Sequence, residues 1–135
     1  MNYGIIVSEF NDEVVSGLLM ECLRGFAEQG ITPDVIKVPG AVEIPLIAQA
    51  YIQEKKPGAV VALGCIIKGD TDHYDAVCEM CSAGIMDVML KTGVPIVFEV
   101  LMVDEKKKAL ERISKGYEAA ATATRMAELS RNTSK

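Results

Sequence analysis

Short β-branched segments alternate along the chain with longer segments whose apolar residues recur every three or four positions. The short segments are each bounded by glycine, proline or polar residues, as β-strands usually are. They occupy residues 5–7, 35–38, 60–63 and 96–98. Their apolar side chains are nearly continuous, which favours a parallel sheet that is covered on both faces.

The segments between these strands predict helices. Apolar residues over 15–26 follow helical spacing, with Asn11 as a candidate N-cap and Gly30 as a stop signal. The same spacing returns over residues 77–89, and an alanine-rich stretch predicts one last helix over residues 105–131. Strand and helix alternate four times, which predicts the α/β class. We expect a three-layer α/β/α sandwich with a flavodoxin-like, doubly wound, four-stranded parallel sheet.

Length, composition and charge narrow the classes of function. The chain has 135 residues, half of them apolar, which suits one domain over residues 1–135 that ends in a polar tail at 132–135. Its 14 basic and 19 acidic residues offer no surface for the phosphate backbone of a nucleic acid. The longest apolar runs, such as 59–63, are too short to span a bilayer, and no export signal opens the chain. These features predict a cytoplasmic protein without nucleic-acid or membrane partners.

The four cysteines raise the question of disulfides or a metal. A domain of this size needs no disulfides, so reduced thiols are the better interpretation. Cys78 and Cys81 form a C-x-x-C pair, but a zinc site needs about four ligands. The only histidine, His73, lies on the same predicted helix as this pair. We interpret the cysteines as part of a buried helical stripe, with a metal or redox role as the less favoured alternative.

Ligands of open parallel sheets bind beyond the carboxyl ends of the strands, so the segments that follow each strand are candidates for chemistry. These segments are residues 8–12, 39–45, 68–73 and 99–104. Phe10 could stack on a flat heterocycle, or it could instead pack onto the first helix as a hydrophobic staple. The sequence leaves both open.

The segment after the third strand combines an anion-binding pattern with the single histidine. Residues 69–71 precede a predicted helix, where free backbone N–H groups can hold a phosphate, although an ordinary capped helix would look the same. His73, in the first turn of that helix, is a candidate general acid or base, or a structural residue. Arg112 and Lys115 share one face of the predicted last helix and could hold one anion, or form a solvated basic surface.

In their order along the chain, these signals resemble the lumazine synthase family. The resemblance rests on Phe10-Asn11, on VPGAVEIP over 38–45, on LGCIIKGDTDHYD over 63–75, on GVPIVF over 93–98 and on KGYEAA over 115–120. It implies a cofactor-free transferase of riboflavin biosynthesis. Such an enzyme condenses 5-amino-6-(D-ribitylamino)uracil with 3,4-dihydroxy-2-butanone 4-phosphate to form 6,7-dimethyl-8-ribityllumazine.

The resemblance also implies a role for individual residues. His73 would transfer protons. Substrate-binding residues would come from each motif, with Phe10 stacking on the pyrimidine and Phe98 closing the pocket from a neighbouring subunit. The ribityl chain would bind Ala41, Val42 and Glu43. The ring pocket would be lined by Cys65, Ile66 and Ile67. The ketone phosphate would bind Asp70, Thr71 and Arg112, and Lys115 would be a further active-site residue.

The sequence departs from the family pattern at Lys68, Asp70 and Glu99, and the connection between Arg112 and Lys115 is short. With so short a connection we expect one unbroken helix through these two residues. The shared pocket implies a ring-shaped homo-pentamer, or two rings paired as a decamer, and the short connection argues against a closed shell.

The main alternative is a homologue that binds ligands or forms shells with little activity. Receiver domains and flavin carriers fit worse, because the segment after strand one lacks their acidic cluster or phosphate loop.

Overall fold

A single parallel sheet organises the chain. In the computed structural model, which describes residues 1–133, the strands are β1 (Tyr3–Ser8), β2 (Asp34–Val38), β3 (Ala59–Ile67) and β4 (Ile96–Val103). All neighbouring strands are parallel, in the order β2-β1-β3-β4. This confirms the predicted doubly wound sheet. Of the predicted polar tail, Ser134 and Lys135 lie outside the described residues, whereas residues 132–133 continue the last helix.

Helices cover both faces of the sheet. They are α1 (Asp12–Glu28), α2 (Ile44–Lys55), α3 (Tyr74–Thr92), α4 (Lys106–Leu110) and α5 (Lys115–Thr133), with a 3-10 turn at Ala41–Glu43 before α2. One buried cluster joins the sheet to α1 and α5, and the other joins it to α2 and α3. Every residue of β3 is buried because this strand is internal and covered on both faces. The three-layer α/β/α sandwich is therefore confirmed.

Helices α1 and α5 pack unusually closely. A Cβ atom at Gly116 would lie 2.2 Å from the carbonyl oxygen of Leu18, and one at Gly25 would lie 2.7 Å from that of Tyr117. The buried alanines of α5 continue this close packing along the helix, at Ala119, Ala120, Ala123 and Ala127. Contacts within the chain therefore explain these four alanines, whereas Ala121 is exposed.

The predicted single helix over residues 105–131 was wrong. Helix α4 ends at Leu110, and α5 begins only at Lys115, whose backbone N–H donates to the carbonyl oxygen of Arg112 at 3.0 Å. The side chain of Ile113 lies in the space that a Cβ on Gly17 of α1 would occupy. Ile113 therefore packs the turn between α4 and α5 against α1. Arg112 and Lys115 therefore do not share a helical face.

The segment 99–104, predicted as a loop, is also largely strand. β4 continues to Val103, which pairs with Ile67 of β3. As an edge strand with only one pairing partner, β4 has partly exposed residues among its buried ones. Polar or exposed positions such as Glu99 interrupt the apolar run that marked the other strands. The sequence pattern therefore did not predict the second half of β4.

Candidate active site

A cavity of about 310 Å³ opens at the carboxyl ends of β1 and β3. Its walls come from the loop after β1, the 3-10 turn before α2, the end of β3 and the loop that follows, together with one residue of α3. They are formed by Phe10, Asn11, Gly40, Ala41, Val42, Glu43, Cys65, Ile66, Ile67, Asp70, Thr71 and Val77.

Asn11 fixes the first wall to the sheet. Its side-chain Nδ2 donates a hydrogen bond of 2.8 Å to the carbonyl oxygen of Cys65. The residue occupies the N-cap position of α1, as expected, but with a left-handed backbone (φ 63°) and without a side-chain bond to the helix. Asparagine tolerates this conformation better than most residues. Asn11 thus holds the β1 loop against the end of β3 and does not cap α1 with its side chain.

Phe10 presents its ring at the mouth of this cavity. Phe10 is 62% exposed and is not among the residues packed against the core beside α1, which favours stacking over the staple that the sequence left open. An exposed aromatic ring beside a partly apolar cavity is suited to stacking on a flat heterocycle.

The second wall is the turn that leads into α2. The N–H of Glu43 donates to the carbonyl oxygen of Gly40 at 3.2 Å, which closes the 3-10 turn. A Cβ at Gly40 would lie 3.0 Å from Oε1 of Glu43, so the absence of a side chain lets this carboxylate lie close to the backbone. Ala41 is buried, whereas Glu43 is exposed and can accept hydrogen bonds from a ligand.

The third wall follows β3. Gly69 has a φ of +101°, which L side chains rarely adopt, and the N–H of Asp70 donates to the carbonyl oxygen of Ile67 at 3.2 Å. The hydroxyl of Thr71 accepts a hydrogen bond of 3.1 Å from the backbone N–H of His73. His73 is the N-cap of α3, one residue earlier than predicted, and is exposed beside the cavity without lining it.

The charges at this cavity are negative. Among the described residues that line it, Glu43 and Asp70 are acidic and none is lysine or arginine. Burial, and secondarily the charge of Asp70, raises the pKa of the Cys65 thiol to about 11. Cys65 is therefore a neutral wall residue at neutral pH and not a nucleophile, because only the thiolate attacks.

Three predicted site residues lie away from this cavity in the described chain. Phe98 is partly exposed on the edge strand β4, Arg112 is exposed in the turn between α4 and α5, and Lys115 begins α5. The ammonium of Lys115 lies 3.7 Å from the carboxylate of Glu118. We refer to Phe98, Glu99, Arg112 and Lys115 as the β4 group.

Glu99 is the half-buried acidic residue of the β4 group. Burial raises the pKa of its carboxyl, which the charge of Lys115 partly opposes and that of Glu118 reinforces. Lys115 and Glu99 are therefore close enough to interact electrostatically. Apart from His73, which does not line the cavity, the other predicted residues meet there: Phe10, residues 41–43, residues 65–67, Asp70 and Thr71.

Sequence reasoning missed three lining residues as site residues: Asn11, Gly40 and Val77. Asn11 and Gly40 belong to the quoted motifs, but Asn11 was interpreted only as a helix cap and Gly40 was given no role of its own. Val77 carries no chemical signal, because a valine at helical spacing is usually a core residue.

The cysteine pair lies within α3. Cys81 is buried and Cys78 half-buried in the cluster that joins α3 to the sheet. Burial, and then the charge of Cys78, raises the pKa of Cys81 to about 11. Over residues 1–133, no three or more His, Cys, Asp or Glu side chains form a group that could hold a metal ion. Over the same range, no helix is long and apolar enough to cross a membrane.

The fold and the cavity define an α/β protein with a ligand site at the carboxyl edge of a parallel sheet. The model of the 6,7-dimethyl-8-ribityllumazine synthase family matches residues 1–131, and the chain belongs to this family of transferases of riboflavin biosynthesis. Among solved structures, a de novo designed Rossmann fold protein is similar at 18% identity, over 87% of this chain and 99% of that one, with a TM-score of 0.47.

Proposed function

We propose that this protein catalyses the synthesis of 6,7-dimethyl-8-ribityllumazine from 5-amino-6-(D-ribitylamino)uracil and 3,4-dihydroxy-2-butanone 4-phosphate. The observation that carries the proposal is the convergence of three separate family motifs, which contain Phe10, residues 41–43 and residues 65–71, on one cavity. Its volume of about 310 Å³ lies at the lower end of small-molecule sites.

The pyrimidine stacks on Phe10 and lies against the apolar wall of residues 65–67. Its ribityl hydroxyls reach the turn of residues 41–43, where the exposed carboxylate of Glu43 accepts hydrogen bonds. This division of the cavity, with an aromatic and apolar side for the ring and a polar turn for the sugar alcohol, suits the two ends of this substrate.

The ketone phosphate binds the loop after β3, through Thr71 and the backbone around Asp70. The amine of the pyrimidine attacks the ketone and an imine forms with loss of water. Phosphate is then eliminated, and the second ring closes with loss of another water. Both substrates are reactive, so holding them together supplies most of the acceleration. His73, two residues from Thr71, assists as the proton-transfer residue.

The β4 group completes the site of a neighbouring copy. Phe98 closes the ring pocket of that copy, and Arg112 and Lys115 supply the positive charge that its cavity walls lack. An exposed apolar face of α3 supports association, since Met80, Met86 and Leu90 are each at least half exposed there. We propose a ring-shaped homo-pentamer, alone or paired as a decamer, built from single-domain chains. The free cysteines agree with a cytoplasmic location.

A second candidate is a family member that binds ligands with little activity. The acidic lining of the cavity favours it, because Asp70 and Glu43 oppose a phosphate dianion. A direct assay separates the two functions. Purified protein is mixed with both substrates, and lumazine formation is followed by absorbance and fluorescence against the uncatalysed reaction. A rate clearly above that background is the expected result, and a folded protein that gives only the background rate would refute the proposed activity.

A further inference from the structure

An acidic residue lies in the loop after β3, which is the proposed phosphate-binding loop. Asp70 lines the cavity next to Thr71, and a phosphate bound there would bring two negative charges close to its carboxylate. Like charges in one site disfavour each other, so a cation that compensates the carboxylate would strengthen the binding of an anion there. Of the described residues that line the cavity, none supplies such a cation.

Lys106 is a cation that the fold brings to this edge. It is the first residue of α4, which follows β4, while Asp70 follows the neighbouring strand β3. Its ammonium forms an ion pair with Glu13 in the first turn of α1, two residues after Asn11 of the cavity wall. The hydrogen bond and charge of Glu13 raise the pKa of Lys106, and the charge of Asp70 raises it further.

From these contacts we infer that Lys106 is a further phosphate-site residue, which neutralises Asp70 so that the loop after β3 can accept a phosphate group. The inference rests on the proposed function for the identity of the phosphate, which is that of the ketone substrate and of the released product. Glu13 keeps the ammonium oriented toward this edge while the site is free. Asp70 and the incoming anion then share the positive charge of Lys106.

This role differs from that of a general basic surface. Lys107 and Lys108 follow on the same helix, and Lys108 forms an ion pair of 2.9 Å with Asp104. A nonspecific effect would depend on the number of lysines, whereas compensation of Asp70 depends on the position of Lys106. Lys107→Ala removes the same charge one residue along α4 and is the matched control for Lys106→Ala.

The test measures binding of inorganic phosphate by isothermal titration calorimetry at low ionic strength, without pyrimidine or ketone. Lys106→Ala is expected to weaken binding by about three- to tenfold, the size of a partly exposed charge contact. Lys106→Arg should stay near the parent, and Lys107→Ala should change the dissociation constant less than twofold. Asp70→Asn should tighten binding, because it removes the negative charge beside the phosphate.

Three results would overturn the inference: no saturable phosphate binding by the parent, equal losses for Lys106→Ala and Lys107→Ala, or no tighter binding by Asp70→Asn. Circular dichroism of each variant shows that it is folded, which these exposed positions should allow. Because phosphate binding is measured without turnover, it reports on the loop even where no lumazine forms. An active synthase in which Lys106 behaves like Lys107 would remove this inference and leave the proposed function standing.

Discussion

The side-chain amide of Asn11 donates a 2.8 Å hydrogen bond to the carbonyl oxygen of Cys65, which ties the loop after β1 to the end of β3. Both residues line the cavity, and Phe10 immediately precedes Asn11. The bond therefore sets the distance between the proposed stacking ring and the apolar wall on the opposite side.

Removing this bond should weaken binding of the pyrimidine. Asn11→Gly keeps the left-handed backbone available but loses the amide donor, and a hydrogen bond of about 1 kcal/mol corresponds to about a fivefold increase in the apparent KM. Lys56→Gly is the matched control, because Lys56 also has a positive φ (48°) but lies at the end of α2. Steady-state kinetics with varied pyrimidine check both, and an unchanged KM for Asn11→Gly would show that the bond does not position Phe10.

His73→Ala should lower turnover by about ten- to a thousandfold, the range of a general acid or base that assists reactive substrates. His73 is exposed and its side chain is outside the core, so the variant should fold. Initial rates at saturating substrates, with thermal melting as the check on folding, measure the effect. A variant as fast as the parent would make His73 a structural cap of α3.

Arg112→Ala should raise the apparent KM for the ketone phosphate more than that for the pyrimidine. Guanidinium groups bind phosphate in a bidentate manner, and this one is exposed in the turn after α4. Kinetics with each substrate varied in turn give the two values. Equal increases for both substrates would argue against phosphate binding by Arg112.

Glu99 should make stability depend on pH in a defined direction. Burial raises the pKa of its carboxyl above the ordinary value of 4.5, so the folded state binds this proton more tightly than the unfolded state. Stability relative to Glu99→Gln should therefore be greatest below about pH 4.5 and fall as the pH rises through the raised pKa. Thermal midpoints of both proteins, at one concentration across pH 4–8, test this. A difference between the two thermal midpoints that stays constant across this pH range would contradict the prediction.

The proposed association surface on α3 can be tested by introducing a charged side chain into it. Light scattering should give the mass of five or ten chains of 14.6 kDa. Leu90→Asp should dissociate the ring, because Leu90 is 75% exposed on the apolar face of α3. Met20→Asp, at a similarly exposed position of α1, should leave the mass unchanged. A closed shell would refute the predicted assembly size, and an active monomer would refute the shared site.

Much of the fold could be predicted because the internal strands are continuously apolar and the main helices have clear spacing. The second half of β4 could not, since an edge strand with partly exposed positions such as Glu99 lacks that pattern. The break between α4 and α5 depends on a tertiary contact, that of Ile113 with Gly17, which helix propensity does not encode. For the same reason Asn11 looked like a cap, although its amide partner is far away along the chain.

The family resemblance implied that Phe98 acts on a neighbouring copy, but local patterns did not separate Arg112 and Lys115 from the cavity residues. The order of the motifs assigned Phe10 and Arg112 to one substrate site, but the cavity and the β4 group lie at different places on one chain. The central claim is that two copies of this chain complete each synthase site.

Subunit mixing tests that claim most directly. His73→Ala, which damages the cavity side, and Arg112→Glu, which damages the β4 group, are each assayed for lumazine formation and then unfolded and refolded together. If neighbouring copies share the site, about a quarter of the sites in random mixed rings combine two intact halves. The mixture should then form lumazine faster than either variant alone. A mixture no faster than the average of the two separate variants would contradict the shared site.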